Sequence, residues 1–200
     1  MDNRERSIVE LSVFAALPES KDQLREALLA AKKNEISREE IYESFLQLYL
    51  FAGFPAALEA MRALQTAWPA EGNVTVREPV SYPDFLDRGN KLFERIYGKN
   101  ASRVRDGMMK LSPELGRWAM TDGYSKTLSR PGLDVKTREL AIVAVLTQSG
   151  WERQLGSHIF GALNAGAGEH EVREAIAIGA QENSTRFEAS ISLMDRLQKS

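Results

Sequence analysis

The sequence predicts an all-α protein, a helical bundle made of two related halves. Apolar residues recur at helical spacing almost throughout the 200 residues. Alternating apolar and polar runs, the mark of half-buried strands, are short and rare. Helix start and stop signals also punctuate the chain at intervals that suit short helices.

The start signals come in order. Ser20-Lys21-Asp22-Gln23 and Ser37-Arg38-Glu39-Glu40 read as capping boxes: the serine hydroxyl accepts from an orphan backbone N–H, and the side chain three residues on bonds back to the cap. Ser112-Pro113-Glu114 opens a further helix. There Ser112 caps, Pro113 loses nothing at a position whose N–H would have no partner, and Glu114 faces the positive end of the helix dipole. Asp134 opens the next helix in the same way. Stops are expected at Gly53, Gly98, Gly132 and Gly166.

The stretch from Ala70 to Pro83, AEGNVTVREPVSYP, has a glycine, an asparagine, two prolines and no helical periodicity. It is expected to be a linker, 70–83, between an N-terminal half (1–69) and a C-terminal half (84–200). Val74 and Val76 suit a short extended pairing within it. The flanks show a weak repeat at an offset of about 131 residues, a period that suits duplication of a domain better than a solenoid. Gln23-Leu24 falls on Gln154-Leu155, and SREEIYE (37–43) falls on GEHEVRE (168–174), with Ile41 on Val172 and Glu43 on Glu174. The apolar run AIVAVL (141–146) is expected to need cover from the other half or from a second chain, which points to a homo-oligomer.

Composition removes several classes of function. Net charge is -2, with acidic and basic residues interspersed, so no single-sign field suggests a nucleic-acid or membrane-surface partner. The N-terminus, MDNRERSIVELSVF, has no targeting pattern and no stretch approaches bilayer length, so a cytoplasmic protein is expected. The chain has no cysteine, which removes disulfides, thiolate nucleophiles and cysteine-rich zinc sites. With two histidines, His158 and His170, a histidine-rich metal site within one chain is not expected either.

From Gly89 to about Glu174 the segments GNKLFERIYG, LSPELGRWAMTDGYSKTLSRPGLDVKTRELAIVAVL, QLGSHIFGALNAG and EVREAI resemble the carboxymuconolactone decarboxylase family, which includes the alkylhydroperoxidase D-like proteins. In the first half, EEIYESFLQLYLFAGFPAALEAM is similar to the end of the same repeat, with Tyr49, Gly53 and Pro55 as the tyrosine, glycine and proline that precede a small-residue helix. The resemblance implies a compact helical fold, trimers or hexamers, no cofactor, and active sites lined by the central helical hairpin. In the peroxidase branch two cysteines stand seven and four residues before the histidine that matches His158; those positions are Trp151 and Gln154 here. Glu139, nineteen residues before His158, matches the glutamate of that branch. The acid/base pair is therefore present and the redox pair is missing. Thiol peroxidase chemistry is disfavoured, and the decarboxylase branch, which needs the histidine and the RPGLD turn (130–134) but no cysteines, fits better. Glu139 departs from that branch, where a smaller residue is expected.

Catalysis is thus expected at His158 and Glu139. The small residues Gly156, Ser157, Gly161 and Ala162 around His158 allow close approach, and an imidazole exchanges protons near neutral pH. The competing reading is a core histidine bonded to a helix carbonyl. Glu139, near a helix start, reads either as a dipole-stabilised carboxylate on a solvated face or as a partner placed across a hairpin from His158. About ten residues of helix, a turn at Gly150 and a return of about seven residues bring the two to similar heights. Arg130 and Arg138 are cations suited to a carboxylated substrate, or else to pairing with Asp134 or Glu139. Trp118 and Tyr124 are read as pocket wall or as plain core, Trp151 and Gln154 as substrate-facing, and His170 as a surface residue. The first half has Ala27 at the position of His158, so it is expected to act as scaffold or to close the site with Tyr49 and Phe54. The expected substrate is a small carboxylated molecule or lactone, and a ligand-binding or assembly protein of the same fold is the alternative.

Overall fold

A computed structural model describes residues 1–70 and 81–198. The described residues are helical with short connections, and no strand occurs among them. The fold is all-α, as the helical periodicity requires. Val74, Val76 and most of the expected linker lie outside the described residues.

The chain divides into two compact units, one of residues 1–71 with 132–200 and one of residues 72–131. These units do not coincide with the halves drawn at 1–69 and 84–200. The first helices of the chain share a core with the last ones, so the first unit is discontinuous in sequence.

In the first unit, α1 (Asn3–Ala16), α2 (Lys21–Lys33), α3 (Arg38–Leu46), the four-residue α4 (Leu48–Phe51) and α5 (Gly53–Ala67) come from the start of the chain. Its remaining helices are α9 (Val135–Ser149), α10 (Glu152–Asn164), α11 (Glu169–Ala180) and α12 (Ser184–Gln198). Ile8, Leu11, Leu28, Ile41, Phe45, Leu48, Leu64 and Val145 form one buried cluster within it. The axis of this unit is α9. Every residue from Thr137 to Thr147 is buried, and α1, α10, α11, α12 and α4 pack around the helix. A helix that is apolar on all sides must be enclosed. Of the two covers expected for AIVAVL, the other half or a second chain, the first is present: α1 and α4 from the first half pack on α9 beside α10, α11 and α12. α11 lies close on α9: a Cβ added to Gly179 would stand 2.1 Å from the carbonyl oxygen of Ala144.

The second unit holds α6 (Tyr82–Tyr97), a 3-10 turn (Gly98–Asn100), α7 (Ala101–Leu111), α8 (Pro113–Trp118) and a π-helical stretch, Ala119–Leu128. Its helix α6 starts inside the stretch read as linker, where Ser81 Oγ donates to Asp84 Oδ2 at 2.7 Å and a proline in the first turn has its φ already set. Phe93 packs edge-on to Tyr124 at 4.7 Å between ring centroids, and the hydroxyls of Tyr97 and Tyr124 share a hydrogen bond of 2.7 Å.

Two of the expected caps hold. Ser112 Oγ accepts from the N–H of Leu115 at 3.2 Å, and Asp134 Oδ1 accepts from that of Thr137 at 2.9 Å. The capping boxes at Ser20 and Ser37 do not form, although α2 and α3 begin where they predict. Ser20 has φ -91° and ψ 26°, away from the extended conformation of a capping residue. Glu40, the far member of the Ser37 box, is instead engaged by Arg4, whose Nε donates to it at 2.8 Å. A capping box that the sequence reading missed joins Asp2 and Glu5 at the start of α1.

Candidate acid/base site

The site lies within the first unit, on the α9–α10 hairpin. Asp134 caps the start of α9, and Gly150 ends it with φ +77° and ψ 22°, donating its N–H to the carbonyl of Leu146 at 2.9 Å. This left-handed residue turns the chain at no Cβ penalty, and α10 returns along α9. The return brings Nδ1 of His158 to 2.8 Å from Oε2 of Glu139. Glu139 is 1% exposed and His158 is 6% exposed. Glu139 is therefore not a carboxylate on a solvated face, and His158 is not a core histidine held by backbone alone.

Burying this pair has a chemical consequence. A carboxylate and an imidazole removed from water interact more strongly than at a surface, and each fixes the orientation of the other. Nδ1 is engaged by Oε2, which leaves Nε2 as the ring nitrogen turned away from Glu139. The edge contact on the ring comes from Phe51, whose plane stands at 90° to the imidazole with 5.1 Å between centroids.

One residue before Glu139, Arg138 is 1% exposed. Its guanidinium donates to Oε2 of Glu43 at 2.8 Å, to the carbonyl of Leu133 at 3.2 Å and to Oε1 of Gln47 at 3.4 Å. In return, Nε2 of Gln47 donates to the carbonyl of Arg138 at 3.4 Å. The expectation that Arg138 faces substrate or pairs with Asp134 or Glu139 is corrected: its charge is balanced by Glu43 on α3. Asp134 accepts from Arg4 instead, at 2.9 Å. A buried guanidinium needs a partner at close range, and Glu43 was out of reach of any local reading because 95 residues separate the two.

The other residues singled out from the sequence are placed as follows. Trp151, which caps the start of α10, is 62% exposed, and Gln154 in the first turn is also exposed. Tyr49 stacks on Phe54 at 5.0 Å, and Phe54 is 66% exposed. An aromatic side chain from the first half that meets His158 is Phe51. His170 is exposed, as expected. Tyr124, Trp118 and Arg130 belong to the second unit, where Tyr124 is buried against Phe93, Trp118 is 58% exposed and Arg130 is half-buried at the end of the π-helical stretch. Among the described residues, no group of three or more histidine, aspartate or glutamate side chains is arranged to hold a metal ion.

Residues 113–189, which contain both members of the pair, match the model of the carboxymuconolactone decarboxylase family. The match gives this segment, residues 113–189, the likeness to that family. It is also 30% identical over 138 residues to peroxisomal protein 2 of Schizosaccharomyces pombe, an alignment that covers 68% of this chain. The chain spans 65% of the length of that curated relative. The chain has no cysteine and so no thiolate to offer a peroxide, while Glu139 and His158 are in contact. No helix among the described residues is long and apolar enough to cross a membrane.

Proposed function

We propose that the chain is a carboxymuconolactone decarboxylase-like enzyme that acts on a small carboxylated lactone by acid/base chemistry, without a cofactor. The observation that carries this reading is the buried contact between His158 and Glu139. In the proposed reaction the substrate's carboxylate leaves as CO2, and the electron pair of the broken C–C bond spreads into the lactone carbonyl as an enolate. Nε2 of a protonated His158 then gives its proton to carbon, and the imidazole recovers one from water. Glu139, bonded at Nδ1, fixes the ring and offsets the charge of the imidazolium. Such proton transfer contributes roughly 10²- to 10⁴-fold in rate.

The test is CO2 release from 4-carboxymuconolactone by the purified chain and by His158→Gln. Loss of release in the variant supports the role of His158, and an unchanged rate removes it from the mechanism. Assembly into a trimer or hexamer is part of the same reading and rests on the family resemblance; light scattering in solution checks it. A cytoplasmic setting stands beside the peroxisomal one in the name of the yeast relative, and cell fractionation decides between them.

A further inference from the structure

We propose that Phe51 is the specificity-determining residue of this site, an apolar wall that limits the size of what reaches His158. The inference rests on the acid/base reading of His158 for its meaning, but its test does not need turnover. With Nδ1 occupied by Glu139, the imidazole has Phe51 as its edge-on aromatic neighbour. The phenyl ring offers no hydrogen-bond donor, so a carboxylate lying against it would lose hydration without recompense. A flat carbon skeleton can lie there and keep its charge on the far side. The substrates that fit are therefore small and unsaturated or cyclic beside the reacting carbon.

Phe51 is also held in place. It is the last residue of α4, which has four residues, and α5 starts two positions later at Gly53. On the other side, Gln47 immediately precedes α4 and is tied to Arg138 through both its amide nitrogen and its amide oxygen. Arg138 precedes Glu139 on α9 and is locked to Glu43 on α3. The wall and the acid/base pair are thus anchored to one buried polar cluster, so the gap between Phe51 and His158 is set by the fold and does not depend on a mobile loop.

The experiment uses the two histidines of the full chain, with exposed His170 as the internal reference. Wild type, Phe51→Ala, Phe51→Leu and Phe51→Trp are treated with diethyl pyrocarbonate, a small reagent, and with 2-bromoacetophenone, a bulky one. Peptide mass spectrometry then gives the modification rate of His158 relative to His170. The expected result for Phe51→Ala is a rise of about tenfold or more with the bulky reagent, the order that one or two missing carbons in an apolar pocket produce, and a smaller rise with the small reagent. Phe51→Leu lies between, and Phe51→Trp lowers the bulky-reagent rate. If Phe51→Ala fails to fold, the other two substitutions still have opposite expected signs. Equal rates across the variants, or equal increases with both reagents, overturn the inference. Equal rates combined with loss of CO2 release in His158→Gln would sink the Phe51 wall alone; size-selective rates combined with full turnover by His158→Gln would sink the catalytic reading and leave the wall standing.

Discussion

Arg138 and Glu43 form an ion pair at 2.8 Å with both side chains almost completely withdrawn from solvent, and they join α9 to α3 immediately beside Glu139. Charges in such a place are costly when single and tolerable when paired. Replacing Arg138 by Met removes the buried ion pair to Glu43 and should cost about 3–5 kcal/mol. The double replacement Arg138→Met with Glu43→Leu should recover most of that loss. Urea denaturation of the two singles and the double measures the coupling, and additive losses would show that the pair does not act as a unit.

The approach of α11 to α9 gives a second test. A methyl group on Gly179 would meet the carbonyl oxygen of Ala144 at 2.1 Å, and backbone cannot give way as a flexible side chain can. Gly179→Ala should therefore cost about 1–3 kcal/mol through overpacking. A melting temperature equal to that of wild type would mean that the two helices separate freely.

Stability should fall on the acid side through the helix starts of α9 and α11. Burial pushes the Asp134 carboxyl up, but bonds from the backbone and hydroxyl of Thr137 and from Arg4 outweigh it and hold the group below the ordinary aspartate value. Glu171 is likewise held low, first by the backbone N–H of Gly168 and, against some desolvation, by Lys136. A carboxylate with a depressed value in the folded state contributes stability above its unfolded value and loses it as pH falls through the folded one. The loss begins at about pH 4, where unfolded carboxylates start to bind protons. Asp134→Asn should flatten the stability profile below that pH, and an unaltered slope in calorimetry would contradict the assignment.

Glu139→Gln isolates the acid/base pair from its packing. The amide can still accept from Nδ1 but cannot offset an imidazolium, so kcat should drop on the order of 10²-fold with KM little altered. A change confined to KM would mean that Glu139 only shapes the pocket.

The pair Glu139 and His158 was legible because both lie on regular helices. The rise per residue and the turn at Gly150 were enough to place them at one height on neighbouring helices. The caps at Ser112 and Asp134 were legible for the same local reason. The partners of Arg138 and the neighbour of His158 were not. Glu43 and Gln47 reach α9, and Phe51 reaches α10, only through tertiary packing, and Phe51 sits in a run, LQLYLFAG, where apolar spacing does not single it out. The need to enclose α9 was legible from its apolar run, but an apolar run alone does not say which helices cover it. At Ser37 a local motif lost to a distant one, since Arg4 took the glutamate that the capping box required.

The most direct measurement is CO2 release from 4-carboxymuconolactone by the wild-type chain and by His158→Gln, both checked for intact helix content by circular dichroism. Turnover by the wild type and a fall of roughly 10²- to 10⁴-fold in the variant are expected. Equal turnover by the two proteins would contradict the acid/base role of His158.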